Sequence, residues 1–444
     1  MRLENGDRVI IVGGGPAGSF AALHLLNLAS ASQLDLEVTI LEPRDFSRPG
    51  LGACNKCAGI LSSQLIHKLS RLNLELPPEV IQSRVDTYIL HSGKQMLPIH
   101  IDDPRRSVVT VYRGGGPRLG SKPYPSSFDA WLLQQATERG AHVIRTRALS
   151  INSGKHAGNS TVGHSRERHS VVTQDNRLEA DLIILANGIN GHINIDPTLG
   201  YLPPRTEVMA QDEIQLPGEE FAHNVHIFFD HPGGLIFGAL IPKNRYVNIS
   251  LLGHNLPADA ITQFLNHNQL NRHLPADIAS LCGCAPKVSI SPAQSYYADR
   301  FVVVGDAAVT RLYKDGIGSA FVTAEAAAVC AIQHGVSRAD FNAHYQPTCQ
   351  RIDNDNAYGR LLFGLWAFIR KFPGIRDAWV QAAQSETRAQ PNQRIHTPIL
   401  WGMLSGDESY RAMFWRSISL PSTFSILKCL GASMLSTEKQ HETR

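Results

Sequence analysis

The chain has 444 residues, of which 43% are hydrophobic and 18% charged, with a formal net charge of +3. That length holds several domain-sized cores, and the composition is that of an ordinary folded protein rather than a disordered or collagen-like one. The charge balance supplies no concentrated basic field, which argues against a nucleic-acid partner. Seven cysteines are too sparse and too unevenly spaced for a disulfide framework, and suit reduced thiols in a cytoplasm. Met1 to Arg8 carry both charge signs and the apolar run Val9 to Val12 breaks at once into glycines, so the start reads as a strand and not as a signal peptide. No uncharged apolar stretch reaches the ~18 residues of a spanning helix. A cytoplasmic location is expected.

In chain order, Val9-Ile10-Ile11-Val12 is a continuously apolar, β-branched run of the kind shown by a parallel strand buried on both faces. After Gly13-Gly14-Gly15-Pro16-Ala17-Gly18, the residues Ala17, Phe20, Ala21, Leu25 and Leu28 recur at helical spacing. Glu37 to Leu41 forms a second strand ending at Glu42, which completes a βαβ unit. Short strands are expected around Val85 to His91 and Ser107 to Tyr112. Ser127 then caps a helix from Phe128 that closes near Gly140, and Ala141 to Arg145 is a strand. Asn152 to Ser170 is polar and aperiodic, as expected of an exposed hairpin tip. Asp181 to Gly188 is a buried strand running into a glycine turn. His223 to Phe229, Gly234 to Ile241 and Tyr246 to Leu252 alternate as an inserted antiparallel sheet. Phe301 to Val304 returns as a buried strand, Gly305-Asp306-Ala307-Ala308 follows, and Gly316-Ile317-Gly318 leads into a helix over Ala320 to Ala331. The last hundred residues read as mostly helical.

Gly13, Gly15 and Gly18 carry the clearest chemistry. The first makes a tight turn, the second admits a pyrophosphate to the backbone, and the third lets the helix lie close to the strand. Phosphates then rest on the helix N-terminus, beside Pro16 and Ala17, where free N–H groups and the dipole favour negative charge. Glu42 stands about 20 residues on, where a ribose hydroxyl is expected, and disfavours a bound 2′-phosphate. The second glycine site decides between dinucleotides. Gly305-Asp306 closes a late strand where a carboxylate suits the ribityl hydroxyls of a flavin, and Gly316, Ile317 and Gly318 suit the isoalloxazine edge. The competing reading of Asp306 is a plain helix N-cap. The expected architecture is an α/β fold: a Rossmann-type FAD-binding domain, an inserted antiparallel β-sheet substrate domain and a helical C-terminal region. The FAD-binding parts occupy 1–60, 113–200 and 295–345, an excursion toward the substrate domain 61–112, the substrate sheet 201–294, and the helical region 346–444.

These motifs together resemble the flavin-dependent group that includes aromatic hydroxylases, flavin halogenases and the geranylgeranyl reductase family, over residues 8–345. Asn55-Lys56-Cys57-Ala58-Gly59 is similar to the Lys-Pro-Cys-(Gly/Ala)-Gly segment of the geranylgeranyl reductase family. Phe237-x-Ala239-x-Ile241-Pro242-Lys243 with Val247-Asn248 is similar to its Tyr-x-Trp-x-Phe-Pro-Lys and Val-Asn strand pair. Ala239 and Ile241 depart from that pattern and thin its aromatic wall. Val111-Tyr112-Arg113 with Phe128-Asp129 resembles the family's Arg and Phe-Asp pairing, which brings Arg113 to the cofactor. Asn187 stands where the group has Asp before Gly188. The resemblance implies FAD, hydride chemistry on carbon–carbon double bonds of an isoprenoid-like apolar or lipid substrate held by Phe237 and Pro242, and a catalytic position at Cys57. NAD(P)H or ferredoxin is the implied electron donor.

Other readings remain open at this level. Within the same flavoprotein group, a monooxygenase or halogenase brings reduced flavin to oxygen, and a non-catalytic prenyl-binding protein keeps the fold without redox. Cys54 and Cys57 form a C-x-x-C that suits a redox dithiol, yet no second glycine fingerprint for NAD(P)H follows in mid-chain. A zinc site shared with Cys282 and Cys284 needs pairs more than 200 residues apart to converge. Leu361 to Ile369 and Met413 to Arg416 suit either a peripheral membrane face or the cap of an ordinary core, and the basic ends favour the core because they complement the helix dipole.

Overall fold

The computed structural model describes residues 1–50, 52–54, 58–93, 95–154, 168–216, 218–229, 234–270 and 280–442. Its principal elements are β1 (Asp7–Val12), α1 (Pro16–Ala31), β2 (Leu36–Leu41), β3 (Thr87–Ser92), β4 (Gln95–His100), α2 (Phe128–Glu138), β5 (His142–Ile144) and β6 (Leu182–Leu185). There follow β7 (Ala210–Gln215), β8 (Val225–Phe228), β9 (Leu235–Lys243), β10 (Tyr246–Gly253), β11 (Tyr297–Ala298), β12 (Phe301–Val303) and α3 (Gly316–Val329). The chain ends in α4 (Gln346–Ile369), α5 (Pro373–Ser385), α6 (His396–Ser405), α7 (Tyr410–Ser417) and α8 (Leu420–Glu442).

The first sheet has the order β11-β12-β6-β1-β2-β5, and its pairs are parallel except at the β11 edge. Strand β1 therefore lies between β2 and β6, and the strand order reverses there, which opens a crevice at its carboxyl end. Both faces of β1 are covered, so Val9, Ile10, Ile11 and Val12 are all buried and the continuous apolar run follows from that cover. Helix α1 packs against α3 on one face, with the Phe20 and Phe321 ring centroids 5.0 Å apart in an edge-on pair. Helix α3 continues into a π-helical turn to His334, and the span 316–334 is long and apolar enough to cross a bilayer. It serves here as a core helix, with 61% of its most apolar window buried.

The second sheet has the order β7-β10-β9-β8-β3-β4. Its pairs are antiparallel save for β8 with β3, which run parallel because the excursion joins from more than 100 residues upstream. The two faces of β9 separate by strand parity. Phe237, Ala239 and Ile241 join a cluster with Tyr88, Ile227, Trp366 and Trp401, whereas Leu240 packs with Phe228, Ile249 and Phe264 on the other face. Gly238 makes room for the helix Ala260–His267, since a Cβ there would lie 2.4 Å from the Phe264 ring.

Helix α2 begins where Ser127 accepts from the Ala130 N–H at 3.1 Å, as its sequence leads one to expect. Helix α3 begins four residues before Ala320, because Asp315 caps it by accepting from the Gly318 N–H at 3.2 Å. The polar segment Asn152 to Ser170 is flanked by strands Ala148–Asn152 and His169–Thr173, which pair antiparallel, and residues 155–167 lie outside the described residues.

Candidate cofactor and substrate site

The glycine turn sits where β1 passes into α1. Gly13 has φ +107, a conformation that a side chain rarely adopts, and a Cβ on it would lie 2.6 Å from the Ala186 carbonyl oxygen on the end of β6. A Cβ on Gly18 would lie 1.8 Å from the Gly13 carbonyl oxygen, so helix and turn touch backbone to backbone. Gly15 is the N-cap of α1, no side chain caps the helix, and its first turn carries no acid. Its N-terminal end is thus left for an external anion.

A cavity of about 610 Å³ runs from this turn to the second sheet. Among the residues expected at the cofactor, Gly13, Gly15, Pro16, Ala17, Glu42, Arg113, Asp306, Gly316 and Ile317 line it. Gly18, Gly305 and Gly318 stand behind the wall. Gly305, at φ +68, brings the late strand against α1, and its N–H donates to the Thr323 hydroxyl at 2.9 Å. Gly318 donates its N–H to the Asp315 cap.

Glu42 is buried and fully engaged. One oxygen accepts from the Arg44 backbone N–H at 3.0 Å and from its Nε at 2.9 Å, and the other accepts from the Gly14 N–H at 2.9 Å and Arg44 Nη2 at 3.0 Å. A carboxylate offers about four acceptor sites. A ribose hydroxyl at Glu42 therefore has to share or displace an Arg44 donor. Arg113 forks onto Asp129 with two 3.0 Å contacts, and that carboxylate is wholly buried.

Asp306 supplies a direct test of fit for a flavin. Its Oδ1 is buried with no hydrogen-bond partner, and so is the Thr310 hydroxyl beside it. Burial raises the Asp306 pKa against the opposing pull of the Arg113 guanidinium and of the Thr310 hydroxyl. A buried carboxylate oxygen without a hydrogen-bond partner in a cavity wall is costly unless a ligand hydroxyl completes it. The glycine backbones that any Cβ would block and this orphaned acceptor, one residue after the Gly305 that abuts Ala17 of α1, both suit FAD.

On the substrate side, Phe237, Ala239, Ile241, Ile227 and Tyr88 line the cavity. Pro242 does not. It has the opposite parity to Phe237 on β9, and its carbonyl accepts from the Thr110 hydroxyl at 2.8 Å. The two positions where the family resemblance has aromatic residues, Ala239 and Ile241, are thus cavity positions. Their smaller side chains leave it wider. Cys54 also lines the cavity, whereas Cys57 lies outside the described residues, as do Asn55 and Lys56.

Sequence reasoning missed the segment 310–315. Arg311 donates to the Gly406 and Glu408 carbonyls and its guanidinium lies 4.4 Å from the Tyr410 ring centroid. Asn356 of α4 holds the Leu312 N–H at 2.8 Å and the Thr310 carbonyl at 2.9 Å. Burial pushes the Asp315 carboxyl up to about 6, against the cations Arg311 and Lys68 and the donors Gly318 and Ser62. Two non-glycine residues with positive φ, Tyr313 and Asp315, bracket Lys314. That unusual backbone was the only local hint, and it is not visible in the residue types.

The C-terminal apolar stretch divides between two environments. Leu362 and Trp366 of α4 are buried, whereas Leu361, Leu365 and Phe368 are exposed, as are Phe372 and, on α8, Leu420, Phe424 and Leu427. The core-cap expectation accounts for one face only.

No protein-family model matches the chain. It is 26% identical over 362 residues to digeranylgeranylglycerophospholipid reductase 2 of Methanopyrus kandleri, covering 76% of this chain and 81% of that one. Relatives that it matches are named reductases and oxidoreductases, and the chain is an FAD-dependent oxidoreductase. Among solved structures, a geranylgeranyl bacteriochlorophyll reductase-like protein of Thermoplasma acidophilum aligns with a TM-score of 0.61 at 15% identity, over 99% of this chain and all of the other. The flavin-dependent halogenase CmlS aligns at 0.52 and 18% identity, over 93% of this chain and 70% of that one. At such identities these structures attest the fold, a Rossmann-type flavoprotein with an added sheet and a helical C-terminal region.

Proposed function

We propose that this oxidoreductase reduces carbon–carbon double bonds of an isoprenoid-like apolar substrate. The observation that carries the reading is the single cavity joining the α1 glycine turn to the apolar wall of Phe237, Ala239 and Ile241. When bound, FAD supplies the two-electron redox chemistry. In this reading the Gly13–Gly18 turn and the α1 N-terminus hold the pyrophosphate, Glu42 with Arg44 meets the adenosine ribose, and Asp306 and Arg113 meet the middle of the cofactor. Gly316, Ile317 and Gly318 support its ring. Phe237, Ile241 and Ile227 orient the hydrocarbon and exclude water, which strengthens every polar contact in the cavity. An acid near Cys57 or a water delivers the proton that the reduced carbon requires, and electrons enter from NAD(P)H or a ferredoxin.

The exposed residues Leu361, Leu365, Phe368 and Phe372, spaced for one side of α4 and its end, support a peripheral membrane location with Arg370 and Lys371 at the headgroups. A protein placed there draws a lipid substrate from the bilayer.

The test is anaerobic. Dithionite-reduced holoprotein mixed with polyprenyl lipids is expected to recover the oxidised flavin spectrum, and recovery with none of the unsaturated lipids removes the reductase reading. The halogenase-like fold supports oxygen chemistry as the second reading. Rapid oxygen uptake by the reduced protein that depends on an organic substrate would select it.

A further inference from the structure

Lys314 is a cation set against the apolar patch of the cavity wall, which also carries Gln211, Ser250, Arg311 and Asp315. It lines the cavity with Phe237, Ala239, Ile241 and Ile227, and its Nζ lies 4.7 Å from the Phe237 ring centroid. Among the described residues it makes no ion pair and no side-chain hydrogen bond. A ring face compensates an ammonium far less than a carboxylate does when water is withdrawn. Loss of contact with water, followed by the nearby Arg311 guanidinium, pushes its pKa down to about 8.

The position is also built. Asn356 and the Arg311 contacts to the Gly406 and Glu408 carbonyls clamp the segment from the helical region. The left-handed backbone at Tyr313 and Asp315 turns the chain on either side of Lys314. Backbone strain of this sort persists where surrounding contacts over-determine it. The neighbouring Asp315 lines the same cavity but makes no ion pair with Lys314, and its Oδ1 accepts from the Gly318 N–H at 3.2 Å and from the Ser62 hydroxyl at 3.3 Å.

We infer that Lys314 is an anion anchor in the substrate cavity, and that the ligand is an amphiphile whose acidic group meets the Lys314 ammonium while its apolar body runs along Phe237, Ala239 and Ile241. This rests on the reading of that cavity as the substrate site. It adds to that reading a chemical class, an acid with a long hydrocarbon body, and a specificity-determining residue.

The experiment measures binding to the oxidised FAD-loaded protein, by perturbation of the flavin absorbance and by calorimetry. Two tail-matched pairs are used: geranylgeranoic acid with geranylgeraniol, and palmitoleic acid with palmitoleyl alcohol. The acid is expected to bind about ten- to hundredfold more tightly than its alcohol, the range for a charge-assisted hydrogen bond. Lys314→Met is expected to erase that preference while leaving the alcohol's affinity within about threefold, and Lys314→Arg to keep it; Lys314→Gln replaces the Met variant if that one loses its flavin. Equal binding of acid and alcohol in the wild type, or a preference that survives Lys314→Met, overturns the anchor. If only the straight-chain pair shows a Lys314-dependent preference, the isoprenoid reading fails and the anchor stands. If neither pair shows one, the anchor fails whatever becomes of the alcohols.

Discussion

Gly18→Ala tests the contact on which the cofactor site is built. The added methyl would lie 1.8 Å from the Gly13 carbonyl oxygen and 3.2 Å from Ile11 Cγ2, where ordinary contact begins at 3.4 Å. Relief requires a displacement of about 1.6 Å, taken as the difference between 3.4 and 1.8 Å. Gly13 cannot provide it. Its N–H is bonded to the Leu41 carbonyl at 2.9 Å, and its own α-carbon faces the Ala186 backbone. Helix α1 must therefore move, against its packing on α3 through Phe20 and Phe321. Over-packing of this kind costs about 1–3 kcal/mol. The same shift withdraws the helix N-terminus from the phosphate position, so FAD affinity is expected to fall roughly five- to hundredfold. The assay is titration of the apoprotein with FAD, followed by flavin fluorescence, with thermal unfolding of the apoprotein alongside. Gly364→Ala, in α4 with nothing within 4 Å of its Cβ, is the control and is expected to gain up to about 1 kcal/mol. Wild-type FAD affinity together with unchanged unfolding in Gly18→Ala would refute the argument.

Three further outcomes follow from the same geometry. Asp306→Asn removes a buried carboxylate whose Oδ1 lacks a partner, so the apoprotein is expected to gain about 1–2 kcal/mol while FAD binding weakens about tenfold; a loss of apoprotein stability would contradict this. Arg113→Ala removes two charge-assisted hydrogen bonds from the Asp129 carboxylate, which is 0% exposed, and is expected to cost about 1.5–3 kcal/mol in chemical denaturation, with a cost below about 0.5 kcal/mol counting against it. His24 has its pKa lowered from 6.5 to about 4 by burial and by Arg71 and Arg139. The native state therefore resists protonation that the unfolded chain accepts. Stability from this group is complete above pH 6.5 and falls by up to about 3 kcal/mol as pH drops toward 4. His24→Leu is expected to remove most of that dependence between pH 7 and 4.5, and an unchanged slope would exclude His24 as its source.

The unit from β1 through α1 to β2 was legible in the residues, since strand, glycine turn and helix are adjacent in sequence and each has a periodicity of its own. Ser127 announced α2 by the same local logic, and the late strand before Gly305 was marked by four consecutive apolar residues. These features depend on backbone sterics and on interactions within a few residues, which any reader of the chain can count. Glu42 shows the limit of that approach. Its place at the end of β2 was evident, but its saturation by Arg44 and Gly14 depends on how the chain turns after the strand.

What only the tertiary structure decided is which side chains share a cavity. Phe237 and Pro242 read alike in the sequence, yet an odd separation on one strand sends them to opposite faces, and only the packing of the helix Ala260–His267 says which face is closed. Strands β3 and β4 complete a sheet whose other members lie more than 100 residues downstream, and the helical region locks residues 310–315 from the far end of the chain. Lys314 reaches Phe237 across 77 positions of sequence. Such encounters are set by long-range burial, which rewards any arrangement that removes apolar area from water, and so leaves in the local pattern little trace of the partner finally chosen.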